Sequence, residues 1–294
     1  MSDQTVALPL QQSNKPPEWK KWLSLENRYI PPLFITLILL AGHLSYGILE
    51  SYQKTLLAIG TAIAVELVLG RIFLGKWPHI ASAYITGISV GILLRSPAYW
   101  PFAICAAIAI TSKYVLRLKG KHLWNPSNFG ICVMLFLATS AVATLSIQWG
   151  NNLSPLIAIW ILGSLIIWRL RRLHICATYV ISFIALAILR AWIIHEPWQA
   201  EISPITGPEY QLFIFFMITD PKSTVRSKSG QCVVAFSVAV VEMFFRFGQS
   251  VYAPLYALFW VGPIAMLIEM WLDSRTKPAA VFTSVQQTPG LAHR

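Results

Sequence analysis

Residues 215–224 (FFMITDPKST) are the best candidates for chemistry in this chain, because an apolar string leads directly into a polar one. Asp220 stands between apolar segments, whereas the other two aspartates lie in or near the tails. A charge placed inside a membrane is costly, so Asp220 indicates a site. Pro221 ends a helix and disfavours helical geometry at the preceding residue. We therefore predict a helix that ends early and presents Thr219, Asp220, Lys222 and Ser223.

A second polar turn containing proline lies at residues 119–130 (KGKHLWNPSNFG), before another apolar segment. Here Asn125 and Asn128 are the candidate ligands. If the two turns converge, their helix ends, free amides and lysines suit a phosphate group or a flavin ring. The alternative is that asparagine, aspartate and proline only cap and end helices at both turns.

Glu66 lies near the middle of an apolar segment, where a carboxyl group must be protonated or paired. It belongs either to a pathway for protons or cations or to a structural hydrogen bond. Glu242 is four residues before Arg246, a spacing that predicts an ion pair along one helix.

The motifs HExxH, the Walker A loop and GxGxxG are absent from the sequence, and its GxSxG string, GISVG at 87–91, lies inside an apolar segment. The four cysteines form no CxxC pair and are interpreted as packing residues, without a metal or iron–sulfur site. Hydrolases and ATP-driven pumps are therefore disfavoured, which leaves a bound cofactor, an ion pathway or a substrate channel.

The composition is that of a membrane protein, with 56% hydrophobic and 12% charged residues and a mean hydropathy of +0.59. Apolar runs of about 18 to 22 residues recur, enough to cross a hydrocarbon core of about 30 Å. We predict an all-α polytopic protein with about ten transmembrane helices. They begin near Ile30, Thr55, His79, Tyr99, Asn128, Ser154, His174, Tyr210, Gln231 and Tyr252. The eighth, Tyr210–Ile218, is too short for a simple crossing and is predicted to be a broken or re-entrant helix.

The basic residues support this count. With the N-terminus inside, all of the 23 lysines and arginines face the cytoplasm except Lys54, Arg95, Arg190 and Arg246. Both termini are therefore predicted to be cytoplasmic, in a bacterial inner membrane. The net charge of +11 is spread over membrane loops, so it indicates anionic lipid headgroups and not nucleic acid.

Three regions are predicted along the chain: a cytoplasmic tail at 1–29, a transmembrane domain at 30–273 and a disordered cytoplasmic tail at 274–294. Residues 16–27 (PPEWKKWLSLEN) of the first tail favour a short interfacial helix. The tripeptide Ile-Thr-Gly occurs at 85–87 and 205–207, and each copy is followed by a basic turn with proline. Ten crossings with matching interruptions predict two inverted repeats of five helices.

Three strings carry a family resemblance: SAYITG at 82–87, residues 119–130 with NPSNFG, and the phenylalanine-rich TDP string at 215–221. Together they resemble the RnfD/NqrB family, the membrane subunits of Rnf complexes and of sodium-translocating NADH:quinone reductases. The resemblance covers roughly residues 60 to 270. The form TDPK is similar to a divergent branch found near enediyne biosynthesis genes. The resemblance implies ten helices in inverted repeats, as in urea transporters, and bound flavin.

The family's covalent flavin site is where the chain departs from the pattern. The resemblance implies FMN joined to the threonine of an SGAT motif, but the nearest string here is SAVAT at 140–144. We therefore expect no covalent FMN at Thr144, whereas riboflavin or FMN held non-covalently remains the expected cofactor.

These observations leave three hypotheses. The first is a redox subunit that passes electrons through a non-covalent flavin, with an ion coupled to the transfer and with partner subunits. The second is a transporter or channel for a small polar or aromatic solute that reuses the fold without redox activity. The third, a structural assembly partner, does not account for Glu66 and Asp220.

Overall fold

The apolar segments of the sequence form helices. The computed structural model describes residues 30–47, 49–145 and 153–276. The helices of this part are α1 (Ile30–Tyr46), α2 (Tyr52–Leu74), α3 (Ala81–Leu93), α4 (Trp100–Val115), α5 (Pro126–Leu137), α6 (Leu153–Arg169), α7 (Leu173–Ile194), α8 (Trp198–Ile202), α9 (Pro208–Leu212), α10 (Lys228–Phe247) and α11 (Ala253–Thr276). A 3₁₀ helix (Ser203–Thr206) lies between α8 and α9, and a π-helical turn (Phe213–Met217) continues α9.

Within the described residues, four helices are long and apolar enough to cross a membrane: α2, α7, α10 and α11. α3, α4 and α5 are apolar but shorter, with 13, 16 and 12 residues. Many large apolar side chains point away from the protein, among them Leu56, Ile72, Ile181, Trp192 and Phe244. Such a surface fits the hydrocarbon of a bilayer better than water. The protein is thus mainly helical, with a lipid bilayer as its surroundings.

A helix begins within three residues of each of the ten starts predicted from hydropathy. The last helix continues to Thr276, three residues beyond the predicted end of the membrane domain. The predicted interfacial helix at 16–27 and nearly all of the predicted C-terminal tail lie outside the described residues.

Strands are limited to two short antiparallel pairs in the described part. β1 (Leu94–Arg95) pairs with β4 (Ala143–Thr144) and ties the end of α3 to the segment after α5. β2 (Arg117–Leu118) pairs with β3 (Lys121–His122) in a hairpin between α4 and α5. Lys119 and Gly120 form its turn with positive φ angles of 49° and 81°, as tight hairpin turns require.

The helices form two sets of close contacts in the described part of the chain. α2 packs on α3 and α4, and α4 packs on α5. In the second half, α7 packs on α10, and α10 packs on α11. Gly87 allows α2 and α3 to approach closely, because a Cβ at this position would lie 2.5 Å from the Cα of Ile59. Small residues at helix contacts bring membrane helices together in this way.

The short helix α9 is buried on nearly all sides, together with the π-helical turn that follows it. α9 packs against α6, and the π-helical turn packs against α6 and α7. The polar residues Glu209 and Gln211 of α9 are buried as well. A helix end inside a membrane is stable only where protein or a cavity covers it, and here neighbouring helices supply that cover. The segment predicted to be broken is therefore a short helix within the protein.

Candidate functional site

The two polar turns predicted from the sequence meet in space. Asn125 caps α5, since its Oδ1 accepts a hydrogen bond from the Asn128 backbone N–H at 3.1 Å. The Asn125 Nδ2 group donates to the Met217 carbonyl oxygen at 3.4 Å. This carbonyl belongs to the last residue of the π-helical turn, where the helical hydrogen bonds run out. Asn125 therefore joins the start of α5 to the end of the short helix.

Asn128 fastens the same turn to the last helix. Its side chain is buried, and its Nδ2 donates to the Leu255 carbonyl oxygen at 3.2 Å. The Trp124 indole N–H makes a similar bond to the Phe259 carbonyl oxygen at 2.8 Å. Both residues hold the turn against α11, and a role of Asn128 in ligand binding stays a prediction.

Asp220 organises the turn after the short helix. Its carboxylate accepts hydrogen bonds from the Lys222 backbone N–H at 3.2 Å and the Ser223 hydroxyl at 2.7 Å. Thr219 is buried and its hydroxyl donates to the Phe215 carbonyl oxygen at 2.7 Å. The predicted early helix end is confirmed, and of these residues Asp220, Lys222 and Ser223 remain at least partly accessible.

Basic groups from other segments lie near Asp220. The positive charge of Arg172 and that of Lys113 both interact with the Asp220 carboxylate. Lys222 lies close enough to act on Lys113 and on His122. We call these five residues, His122, Lys113, Lys222, Arg172 and Asp220, the turn cluster.

Two nitrogen atoms of the turn cluster are buried without a hydrogen-bond partner among the described residues, His122 Nδ1 and Arg172 Nη1. Burial lowers the pKa of His122 to about 4, and the charges of Lys222, Lys113 and Arg117 add to this effect. Burial also lowers the pKa of Arg172, whereas the Asp220 carboxylate opposes that change. The turn cluster has more cations than anions, and it contains nitrogens without a hydrogen-bond partner among the described residues. Both features favour the binding of an anionic group.

Glu66 is paired and is not an isolated carboxyl group. It forms an ion pair with Lys113 across α2 and α4, and the Tyr114 hydroxyl donates to its Oε1 at 3.0 Å. Lys113 also belongs to the turn cluster, so Glu66 lies directly behind the cluster. Of the two interpretations of Glu66, the structural one has a partner in the structure, and the ion pathway stays a prediction.

Three members of the turn cluster are not among the residues predicted from the sequence. Lys113 lies within α4, and its apolar neighbours in the sequence are the signal that it needs a partner. His122 lies within the predicted turn at 119–130 but is not among its candidate ligands, and Arg172 reaches the cluster from the connection between α6 and α7.

Two other buried carboxyl groups, those of Glu242 and Glu209, have partners that the sequence did not predict. The predicted ion pair between Glu242 and Arg246 is wrong, since Tyr179 and Tyr210 donate to Glu242, and Arg246 donates to Glu201. Thr144 is buried and its hydroxyl donates to the Glu209 carboxylate at 3.3 Å.

No family model matches the chain, and a search of curated proteins also found no match. Whether a flavin fits must therefore be judged from the residues themselves. The turn cluster offers cationic and neutral nitrogen donors for the phosphate of FMN, whereas Asn125, Asn128 and Thr219 are already bonded to the backbone. The phosphate end of a flavin thus fits the donor set of the turn cluster.

Proposed function

We propose that this chain is an integral membrane subunit of RnfD/NqrB type that takes part in electron transport with a non-covalently bound flavin. The observation that carries this proposal is the hydrogen bond between Asn125 Nδ2 and the Met217 carbonyl oxygen, 3.4 Å long. It joins the two turns on which the resemblance rests. A site formed by two interrupted helices is a common place for ligands in membrane proteins.

The proposed architecture is ten membrane helices in two inverted halves of five, with both termini in the cytoplasm of a bacterial cell. The packing of α2, α4 and α5 has a counterpart in α7, α10 and α11. The contact of α1 with α3 likewise has a counterpart in the contact of α6 with α9. An odd number of helices in each half makes the halves antiparallel, which favours this arrangement.

In this proposal the flavin is FMN and its phosphate binds at the turn cluster. Lys222 and Arg172 supply positive charge, and the Ser223 hydroxyl lies beside Asp220. Asn125, Asn128 and Thr219 keep the two turns in register. When bound, a flavin accepts and donates electrons, while the protein orients it and sets the charge around it.

Partner subunits are part of the proposal. The sequence contains no dinucleotide-binding GxGxxG motif and no cysteine spacing for an iron–sulfur cluster. Electrons must therefore reach the flavin from another protein and leave to another acceptor. An ion coupled to the transfer would pass near Glu66, which lies behind the turn cluster.

A second candidate, a transporter or channel for a small polar or aromatic solute, is favoured by one observation. Glu66 on α2 pairs with Lys113 on α4. Arg190 on α7 and Arg246 on α10, the counterparts of α2 and α4 in the proposed halves, both pair with Glu201 on α8. In inverted halves these clusters lie toward opposite membrane faces. Ion pairs in such positions are suited to close a pathway at each end.

The first experiment is a visible absorption spectrum of protein purified in mild detergent without added flavin, recorded before and after acid precipitation. A flavin spectrum that moves to the supernatant supports the proposal. Flavin that stays in the pellet shows covalent attachment and contradicts the expectation for Thr144. A colourless, folded protein rules out the redox proposal and favours the transporter.

Variants then locate the flavin. Lys222→Ala and Asp220→Asn should each reduce the flavin released per protein, since the first removes a charge and the second alters the turn. Lys228→Ala is the matched control, because Lys228 is an exposed lysine that begins α10 outside the turn cluster. Equal flavin content in all three variants places the flavin elsewhere.

A further inference from the structure

The Glu242 side chain is a buried carboxyl group held by two hydroxyl groups. It lies on α10 and is 1% exposed. The Tyr179 hydroxyl donates to one carboxylate oxygen at 2.5 Å, and the Tyr210 hydroxyl donates to the other at 2.7 Å. Tyr179 belongs to α7 and Tyr210 to the short helix α9. Three different helical segments thus converge on one carboxyl group.

The nearest cation, Arg246, is bound elsewhere. Its Nη2 group donates to the Glu201 carboxylate at 2.7 Å and to the Glu201 carbonyl oxygen at 2.6 Å. Arg190 also pairs with Glu201 and donates to the Arg246 carbonyl oxygen at 2.8 Å. Arg246 therefore acts on Glu242 through space and forms its hydrogen bonds with Glu201.

The partners of Glu242 allow two protonation states. Removal from water disfavours an ionised carboxyl group, and two hydroxyl donors partly offset that cost. A tyrosine hydroxyl both donates and accepts, so the same two groups also accept the proton of a neutral carboxyl. Glu66 differs, since its partner is the ammonium group of Lys113. Glu242 has hydrogen-bond partners in either state.

A narrow crevice leads to this carboxyl group. It lies between α7 and α10, is lined by Phe183, Leu186, Ala187, Ala239 and Met243, and has Glu242 and Arg246 in its wall. The crevice has room for about one water molecule.

We propose that Glu242 is a proton-binding site of this protein and that the crevice between α7 and α10 is its access route. The carboxylate takes a proton from hydronium, which leaves water, and releases it by the reverse step. The groups that face it are Tyr179 from α7, Tyr210 and Glu209 from α9, and Arg246 from its own helix. The proton enters from the side where α7 and α10 end.

Proton uptake changes the charge of a four-residue group. Arg190 and Arg246 carry two positive charges, and Glu201 and ionised Glu242 carry two negative charges. When Glu242 is neutral, the group keeps one positive charge in excess beside the short helix. Proton binding thereby alters the electrostatic balance between α7, α9 and α10, whatever ligand the turn cluster holds.

Infrared difference spectroscopy of the full-length protein at a series of pH values tests the proposal. We expect a carbonyl band of protonated carboxylic acid that titrates while the protein stays folded and that Glu242→Gln removes. Glu269→Gln is the control, because Lys121 and the Arg226 N–H hold that carboxyl group near the other ends of the helices. A titrating band that persists in Glu242→Gln, or the absence of any titrating band, overturns the proposal.

Two milder variants keep the test decisive if Glu242→Gln does not fold. Tyr179→Phe and Tyr210→Phe each remove one donor to the carboxylate, so each should shift the titration midpoint to higher pH. An unchanged midpoint in both overturns the assignment to Glu242. In vesicles of one orientation, the band should follow the pH of the compartment that contains Gln249, and a band that follows the opposite compartment overturns the access route.

Discussion

The Lys113 ammonium group and the Glu66 carboxylate form an ion pair between α2 and α4, where each side chain is about 6% exposed. The Tyr114 hydroxyl completes the pair by donating to the other carboxylate oxygen at 3.0 Å. Each charge is tolerated only because the other is present. The pair also links the helical core to the turn cluster, since Lys113 interacts with Asp220.

Lys113→Met should therefore destabilise the protein strongly. It leaves the Glu66 carboxylate buried without a cation, which typically costs about 3–5 kcal/mol. The double variant with Glu66→Gln should recover most of this loss, because it removes the uncompensated charge. The measurement is the free energy of unfolding in detergent with increasing denaturant.

Arg226→Met is the control for this prediction. Arg226 pairs with Asp273, and both side chains are well exposed, at 67% and 46%. Exposed pairs contribute at most about 1 kcal/mol, so this variant should unfold almost like the wild type. If Lys113→Met is no less stable than Arg226→Met, Glu66 does not depend on Lys113.

The stability of the protein should fall in mild acid because of His122. Its folded pKa is about 4, below the ordinary value of 6.5, and burial is the main cause. Between these two values the unfolded chain binds a proton that the folded chain does not, so stability falls as pH decreases from 6.5 to 4. The measurement is the unfolding midpoint across this range, compared with His122→Gln. An identical pH dependence in the variant contradicts the assignment to His122.

The sequence predicted where helices are interrupted, but it did not predict which residues of other segments lie near those interruptions. Asn125 and Asp220 stood out because proline beside them ends helices, a local effect that can be read from neighbours. Lys113 and Arg172 reach the same place from other segments, and such contacts depend on packing. The failed Glu242–Arg246 pair has the same cause, since Tyr210 and Glu201 come from outside that helix.

The repeated Ile-Thr-Gly tripeptide also shows that a local sequence match does not predict how residues pack. Gly87 lies inside α3 and touches the backbone of α2, whereas Gly207 precedes α9 as its N-cap with an extended conformation. The two glycines therefore serve different local roles. The three-residue match does not correspond to a shared structural role.

Gly87→Ala should push α2 and α3 apart. The added methyl group would lie 2.5 Å from the Ile59 Cα, a backbone atom that cannot move without shifting the helix. Overpacking of this kind costs about 1–3 kcal/mol. Gly60→Ala is the matched control, since nothing lies within 4 Å of its added methyl group and alanine favours a helix. Similar unfolding midpoints for the two variants contradict this account of Gly87.

The segment α9 with its π-helical turn should cross the membrane despite its length. The helix α9 has five residues and the π-helical turn has five more, which together extend about 15 Å at the rise of an α-helix. The flanking segments must therefore enter the membrane to complete the span. In whole cells of a Cys232→Ala background, an impermeant maleimide should label Gln199→Cys from outside. Lys228→Cys should react only after the cells are permeabilised. Labelling of both from outside would mean that the short helix returns to the same face, and the two-half architecture would then fail.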